Sequence, residues 1–227
     1  MIGIDVDIDP HRRVATTGDE DRSTDFLLDA WGWSSGGPAV RGREHSLRRV
    51  DAMEQRVLGT SGLNVSSLAL GTMTFGNETD EAGSVAQLDR FVEVGGTLID
   101  TADVYSAGTS EEIIGRWLSS RGGHDDLVIA TKGRFPMGDG PLDRGAGRRH
   151  LQRAVQASLR RLGTDHIDLY QLHVNEFDPA AAAELRDRLE DLVEQGKIRW
   201  YGWSTDDADR AGVMAKGKHC TAVQFAY

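Results

Sequence analysis

The sequence has a single cysteine, Cys220, and only four lysines, Lys132, Lys197, Lys216 and Lys218, in 227 residues. A lone thiol excludes an intrachain disulfide framework and any cysteine-cluster zinc site, and no metal is expected; it also suits a reducing compartment. No run of five basic residues occurs, and 36 acidic against 26 basic side chains give a net charge of −10. Phosphate recognition needs a clustered positive field, so neither nucleic acid nor an anionic membrane surface is an expected partner. Apolar runs are short: none approaches the ~20 residues that span a bilayer. The amino terminus, MIGIDVDIDPHRR, lacks the apolar stretch of a secretory signal. A soluble cytoplasmic protein is expected.

What is present divides near Met53. Residues 1–52 carry ten acids and seven arginines with no sustained apolar period. Such a stretch buries too little surface to offset the entropy of ordering it, and a disordered extension is expected, with one short helical turn near Phe26–Trp33. Leu27, Leu28, Trp31 and Trp33 would there be either a docking peptide or, more simply, part of an extension without function. From Met53 onward six short aliphatic runs alternate with helical periods: SLALG, TLIDT, LVIATK, IDLYQLH, IRWYGWS and TAVQFAY. Val85, Leu88, Phe91 and Val92 share one helix face, stopped by Gly95-Gly96. Thr109 and Glu112 have capping-box spacing before Ile113, Ile114, Trp117 and Leu118. Leu151, Val155, Leu159 and Leu162 mark a third helix, Leu185, Leu189, Leu192 and Val193 a fourth, and a weaker fifth opens at Asp206.

Near-continuous apolar strands alternating with helices predict a parallel sheet covered by helices. A doubly wound sheet would show a G-x-G-x-x-G turn after an early strand, and no strand end has one. Polar residues gather instead at the carboxyl ends of successive strands, as in a (β/α)8 TIM-type barrel. In order these are Gly71-Thr72-Met73, Asp100 with Tyr105 five residues on, Lys132, His173, Ser204-Thr205 and Gln224. Neighbouring strands lie ~4.8 Å apart, so their side chains can converge above the barrel mouth. A lone Asp at a strand end is commonly a cap, a lone Tyr rim packing and a lone His a structural group. Lys132 resists that treatment, because a lysine closing the strand LVIATK is mostly buried and needs a carboxylate, for which Asp100 is placed. A phenol beside a lysinium becomes a better acid, and a histidine can donate to the oxygen being protonated. The set thus suits negative charge developing on a carbonyl oxygen, while nothing in it attacks the carbon. A hydride from a bound cofactor is the simplest nucleophile.

GTLIDTADVY, ASLRRLGTDHIDLYQLH and GKIRWYG in this order resemble the aldo-keto reductase family, and the resemblance runs through residues 53–227. It implies a barrel that reduces an aldehyde or ketone with NADPH, NADH being the other nicotinamide cofactor to consider. It puts a catalytic tetrad on Asp100, Tyr105, Lys132 and His173, and cofactor contacts on Thr72, Met73, Asp100, Ser204, Thr205 and Gln224. Thr205 stands where many relatives have asparagine, and Trp203 is bulkier than the usual aliphatic, so it is expected to crowd the barrel interior. Only six of eight strands are spelled in this chain. The first and sixth should therefore be exposed edges, and the loops that clamp the dinucleotide phosphates are absent from it. The partner implied is a small carbonyl compound. The competing reading is a non-catalytic barrel acting as a regulatory or scaffold subunit.

Overall fold

A computed structural model describes residues 2–5, 53–138, 140, 148–173 and 179–226 of the chain. Residues 6–52, including the tryptophan cluster, lie outside the described residues. The first strand, β1 (Ile2–Asp5), is followed by an antiparallel hairpin of β2 (Gln55–Val57) and β3 (Asn64–Ser66). Six strands then run parallel in chain order: β4 (Ala69–Gly71), β5 (Leu98–Asp100), β6 (Val128–Gly133), β7 (Ile167–His173), β8 (Ile198–Ser204) and β9 (Cys220–Ala226). Between them lie α1 (Glu81–Glu93), α2 (Thr109–Arg121), α3 (Arg148–Leu162), α4 (Pro179–Glu194) and α5 (Ala208–Met214). No helix among the described residues is long and apolar enough to cross a membrane.

Alternation along each strand sorts the core into two layers. Ile99, Ile129, Tyr170, Leu172 and Trp203 join the helix residues Leu88, Ile113, Leu151, Val155, Leu185, Leu189 and Met214 in one buried cluster. Leu98, Val128, Ala130, Leu169 and Ala222 pack on the other side with Leu58 and Val65 of the hairpin. The hairpin closes the amino-terminal end of the sheet, where the Thr221 hydroxyl donates to Leu58 O at 2.8 Å. Trp203 therefore corrects the sequence expectation. Ser204 and Gly202 share one face of β8, so Trp203 points the other way, into the layer beneath the helices.

The sheet curls into a partial (β/α)8 barrel. On a flat sheet β5 and β9, four strands apart, would be separated by roughly 19 Å. Their side chains nevertheless touch, Gln224 Nε2 donating to Asp100 Oδ2 at 3.1 Å. The sixth parallel strand is not a free edge, contrary to expectation: β1 pairs antiparallel with β9, from Ile2 opposite Ala226 to Asp5 opposite Val223. An open strand presents a row of unpaired N–H and C=O groups, and the alternating IGID segment at the chain's start fills that row. This also removes Ile2–Asp5 from the extension expected to be disordered.

The helix ends follow local chemistry. Asp80 caps α1, accepting from Gly83 N at 2.8 Å, and Asp207 caps α5, accepting from Arg210 N at 3.0 Å. The expected Thr109–Glu112 capping box does not form. Gly108, at φ 98°, is the N-cap of α2 and no side chain caps it, because Thr109 is already inside the helix.

Candidate active site

Asp100 ends β5, and Lys132 projects from the same inner face of β6. Lys132 is 1% exposed. Its Nζ reaches Asp100 Oδ2 at 2.7 Å, Thr101 O at 3.0 Å and Tyr105 Oη at 3.4 Å. Three acceptors therefore meet the three hydrogens of a buried ammonium, the condition under which such a charge is tolerated. Tyr105 opens a 3₁₀ turn over Tyr105–Gly108 that is left-handed at Ser106 (φ 49°), Ala107 (φ 53°) and Gly108 (φ 98°). A non-glycine residue in that region costs about 1–3 kcal/mol and persists only where its surroundings dictate it. Here Ser106 Oγ donates to Phe75 O at 2.7 Å, and Ser110 Oγ bonds Thr72 O at 3.0 Å and Thr101 Oγ1 at 3.0 Å. The strain lies in the segment that delivers the phenol.

His173 ends β7 and meets Tyr105 edge-on, with ring centroids 6.1 Å apart. Phe135 also lies edge-on to it, with ring centroids 4.8 Å apart. Burial, helped by the Lys132 ammonium, holds the imidazole down to about 4. His173 is therefore neutral near pH 7 and carries one N–H to donate. Its Nδ1 has no partner among the described residues.

An amide relay completes the floor. Gln171 Nε2 donates to Gln224 Oε1 at 3.1 Å, which turns the Gln224 Nε2 toward Asp100. Asp100 Oδ2 thus receives a lysine and an amide, while Asp100 Oδ1 and Gln171 Oε1 are buried without a donor among the described residues. Sequence reasoning missed Gln171. The signal was available, since it lies two residues before His173 and strand alternation puts both on one face.

The structure brings Asp100, Tyr105, Lys132, His173 and Gln224 together, and Ser204 stands in register with both His173 and Gln224. Thr72 is buried, its N–H and hydroxyl both turned to Asp100 O at 3.0 and 3.1 Å. Met73 is 64% exposed. Thr205 is buried with its hydroxyl accepting from Asp207 N at 3.2 Å, toward the α5 cap rather than into the group.

The model of the Aldo/keto reductase family matches residues 67–227. The chain belongs to the aldo-keto reductase family. Among similar proteins, Protein tas of Escherichia coli K12 is 38% identical over 189 residues, covering 71% of this chain and 54% of tas. Norsolorinic acid reductase of Aspergillus flavus is 38% identical over 169 residues, covering 67% of this chain and 43% of that one. The solved aldo-keto reductase AKR11C1 from Bacillus halodurans, in its holo form, aligns with a TM-score of 0.60 and 39% identity, covering 68% of this chain and 51% of that chain. This aldo-keto reductase chain thus spans about half the length of the relatives it matches.

Proposed function

We propose that residues 53–227, with β1 along the β9 edge, are the proton-delivering part of an NADPH-dependent carbonyl reductase acting on a small aldehyde or ketone, and that residues 6–52 are an extension to it. The observation that carries this reading is Lys132, buried, held by Asp100 and within 3.4 Å of the Tyr105 hydroxyl. When bound, the reduced nicotinamide supplies a hydride to the carbonyl carbon. The nicotinamide end fits the row formed by Ser204, Gln224 and Gln171: Ser204 stands in register with Gln224, and Gln171 Oε1 is buried without a donor among the described residues.

As negative charge grows on the carbonyl oxygen, Tyr105 Oη gives up its proton to it. The phenolate left behind faces the Lys132 ammonium, which Asp100 keeps in place. His173, neutral near pH 7, donates its N–H to the same oxygen and so orients the substrate without adding charge. Phe135, 39% exposed beside His173, gives the approach an apolar wall. The reductase and oxidoreductase names of the relatives support the class of chemistry. A scaffold role would leave the matched set of Asp100, Tyr105, Lys132 and His173 without a use.

The test follows aldehyde-dependent NADPH oxidation by the chain joined to the carboxyl-terminal portion of the Bacillus halodurans relative. Tyr105→Phe should lower turnover by roughly 10²–10⁴, the usual worth of a general acid. Undiminished turnover removes Tyr105 from that role.

A further inference from the structure

Behind the tetrad, on the helix side of β6 and β7, lies a second set of ionisable groups that the carbonyl chemistry does not use. Asp103 and Glu111 are both 0% exposed. Glu111 is fully partnered: its Oε1 accepts from Thr131 Oγ1 at 2.6 Å and its Oε2 from Arg161 Nε at 2.6 Å. Asp103 is not, since neither carboxyl oxygen has a hydrogen-bond partner among the described residues. The Tyr170 hydroxyl is likewise buried without one. Asp103 Oδ2 and Tyr170 Oη close on Gly133 from one side, where any β-carbon would collide with both.

We propose that Asp103 is a positioning residue for Tyr105: a carboxylic acid that keeps its proton while its loop is seated, and whose ionisation loosens the turn holding the phenol against Lys132. This rests on the reading of Tyr105 as the proton donor. The backbone ties the two sites together. Asp103 N–H donates to Lys132 O at 2.9 Å, and Tyr105 follows two residues later in the strained turn. The groups facing Asp103 are Glu111 of α2, Arg161 of α3, Lys132 of β6 and Tyr170 of β7. The charges of Arg161 and Lys132 and the backbone N–H of Val104 favour a carboxylate there, but burial and Glu111 outweigh them. Arg161 is engaged by Glu111, Lys132 has its three acceptors, Glu111 repels, and burial holds Tyr170 as a neutral phenol. A buried ion so weakly compensated is relieved by reaching water, and the loop that carries it also carries Tyr105. Burial first, and then the Glu111 carboxylate, push the Asp103 carboxyl up to about 7.

The experiment uses the full chain with ¹³Cζ-labelled tyrosine, whose four signals are assigned by Tyr105→Phe and Tyr170→Phe variants. Between pH 5.5 and 8.5 His173 stays neutral, so it does not move the Tyr105 signal. The expected result is that the Tyr170 and Tyr105 signals both shift with one midpoint near pH 7, and that both are flat in Asp103→Asn. A Tyr170 shift with Tyr105 unmoved would reduce Asp103 to packing. No shift in the wild type, or the same shift in Asp103→Asn, overturns the proposal outright. The wild-type titration decides alone if Asp103→Asn does not fold. Thermal melts give a second readout: the unfolded chain ionises Asp103 from about pH 4 and the folded one only near pH 7, so folding loses stability as pH rises through that window. Asp103→Asn should therefore gain in melting temperature over wild type from about pH 4 upward, reaching a plateau above pH 7. Neither readout uses reductase activity, so failure here is separable from failure of the proposed function.

Discussion

Lys132 has the most to lose by substitution. Lys132→Met would leave the Asp100 carboxylate buried with only the Gln224 amide as donor, and breaking a buried pair in this way costs about 3–5 kcal/mol. Urea unfolding should show that loss, and Lys132→Met combined with Asp100→Leu should recover most of it, because the double variant buries no unpaired ion. His173 makes the opposite kind of prediction. Its folded value near 4 lies below the ordinary histidine value of 6.5. As pH falls from about 6.5 toward 4 the unfolded chain takes up the proton first, and the fold loses stability that it holds in full above that window. His173→Asn should flatten this acid-side loss in denaturation curves at pH 4.5 and 7.5; an unchanged difference between the two pH values would contradict it. At this scale the sequence was informative about charge and poor on neutral groups. A scarce lysine closing an apolar strand demands a partner, whereas Gln171 reads as one more strand residue until its amide is seen against Gln224. Asp103 escaped for a related reason: burial, which makes it unusual, comes from α2 and α3 packing over it.

The helices show what periodicity can carry. Leu151, Val155, Leu159 and Leu162 are all buried, as the spacing requires, and the glycine stops fall where the helices end. Caps depend on the preceding backbone, which the sequence does not display. Thr109 looks like a cap and is not one, because the left-handed turn after Tyr105 places Gly108 at that position. Asp80→Ala should therefore cost about 1 kcal/mol and Thr109→Ala much less through capping, a contrast measurable by chemical denaturation. Close helix approach was equally hidden. A β-carbon at Gly115 would run into the backbone of Arg161 and Leu162, where α2 crosses α3. Backbone cannot rotate aside, so Gly115→Ala should cost about 1–3 kcal/mol or more. A neutral result would show that the two helices can separate freely.

At the scale of the molecule the alternation of strands and helices disclosed the barrel type, because each β/α unit writes its own pattern. The pairing of β1 with β9 left no such trace, since it joins residues from opposite ends of the sequence. Removing residues 1–8 should expose the β9 edge and promote self-association, seen as a rise in mass by sedimentation or light scattering. A monodisperse truncated chain would argue that β1 does not guard that edge. The same pairing sets an order for biosynthesis. β1 is made long before β9, its partner, and Asp100 waits 124 residues for Gln224. At 5–20 residues per second that interval is roughly 6–25 s. During it, a nascent chain can join Lys132 to Asp100 but cannot add the amide of Gln224, so the group around Asp100 is completed only once β9 has been made.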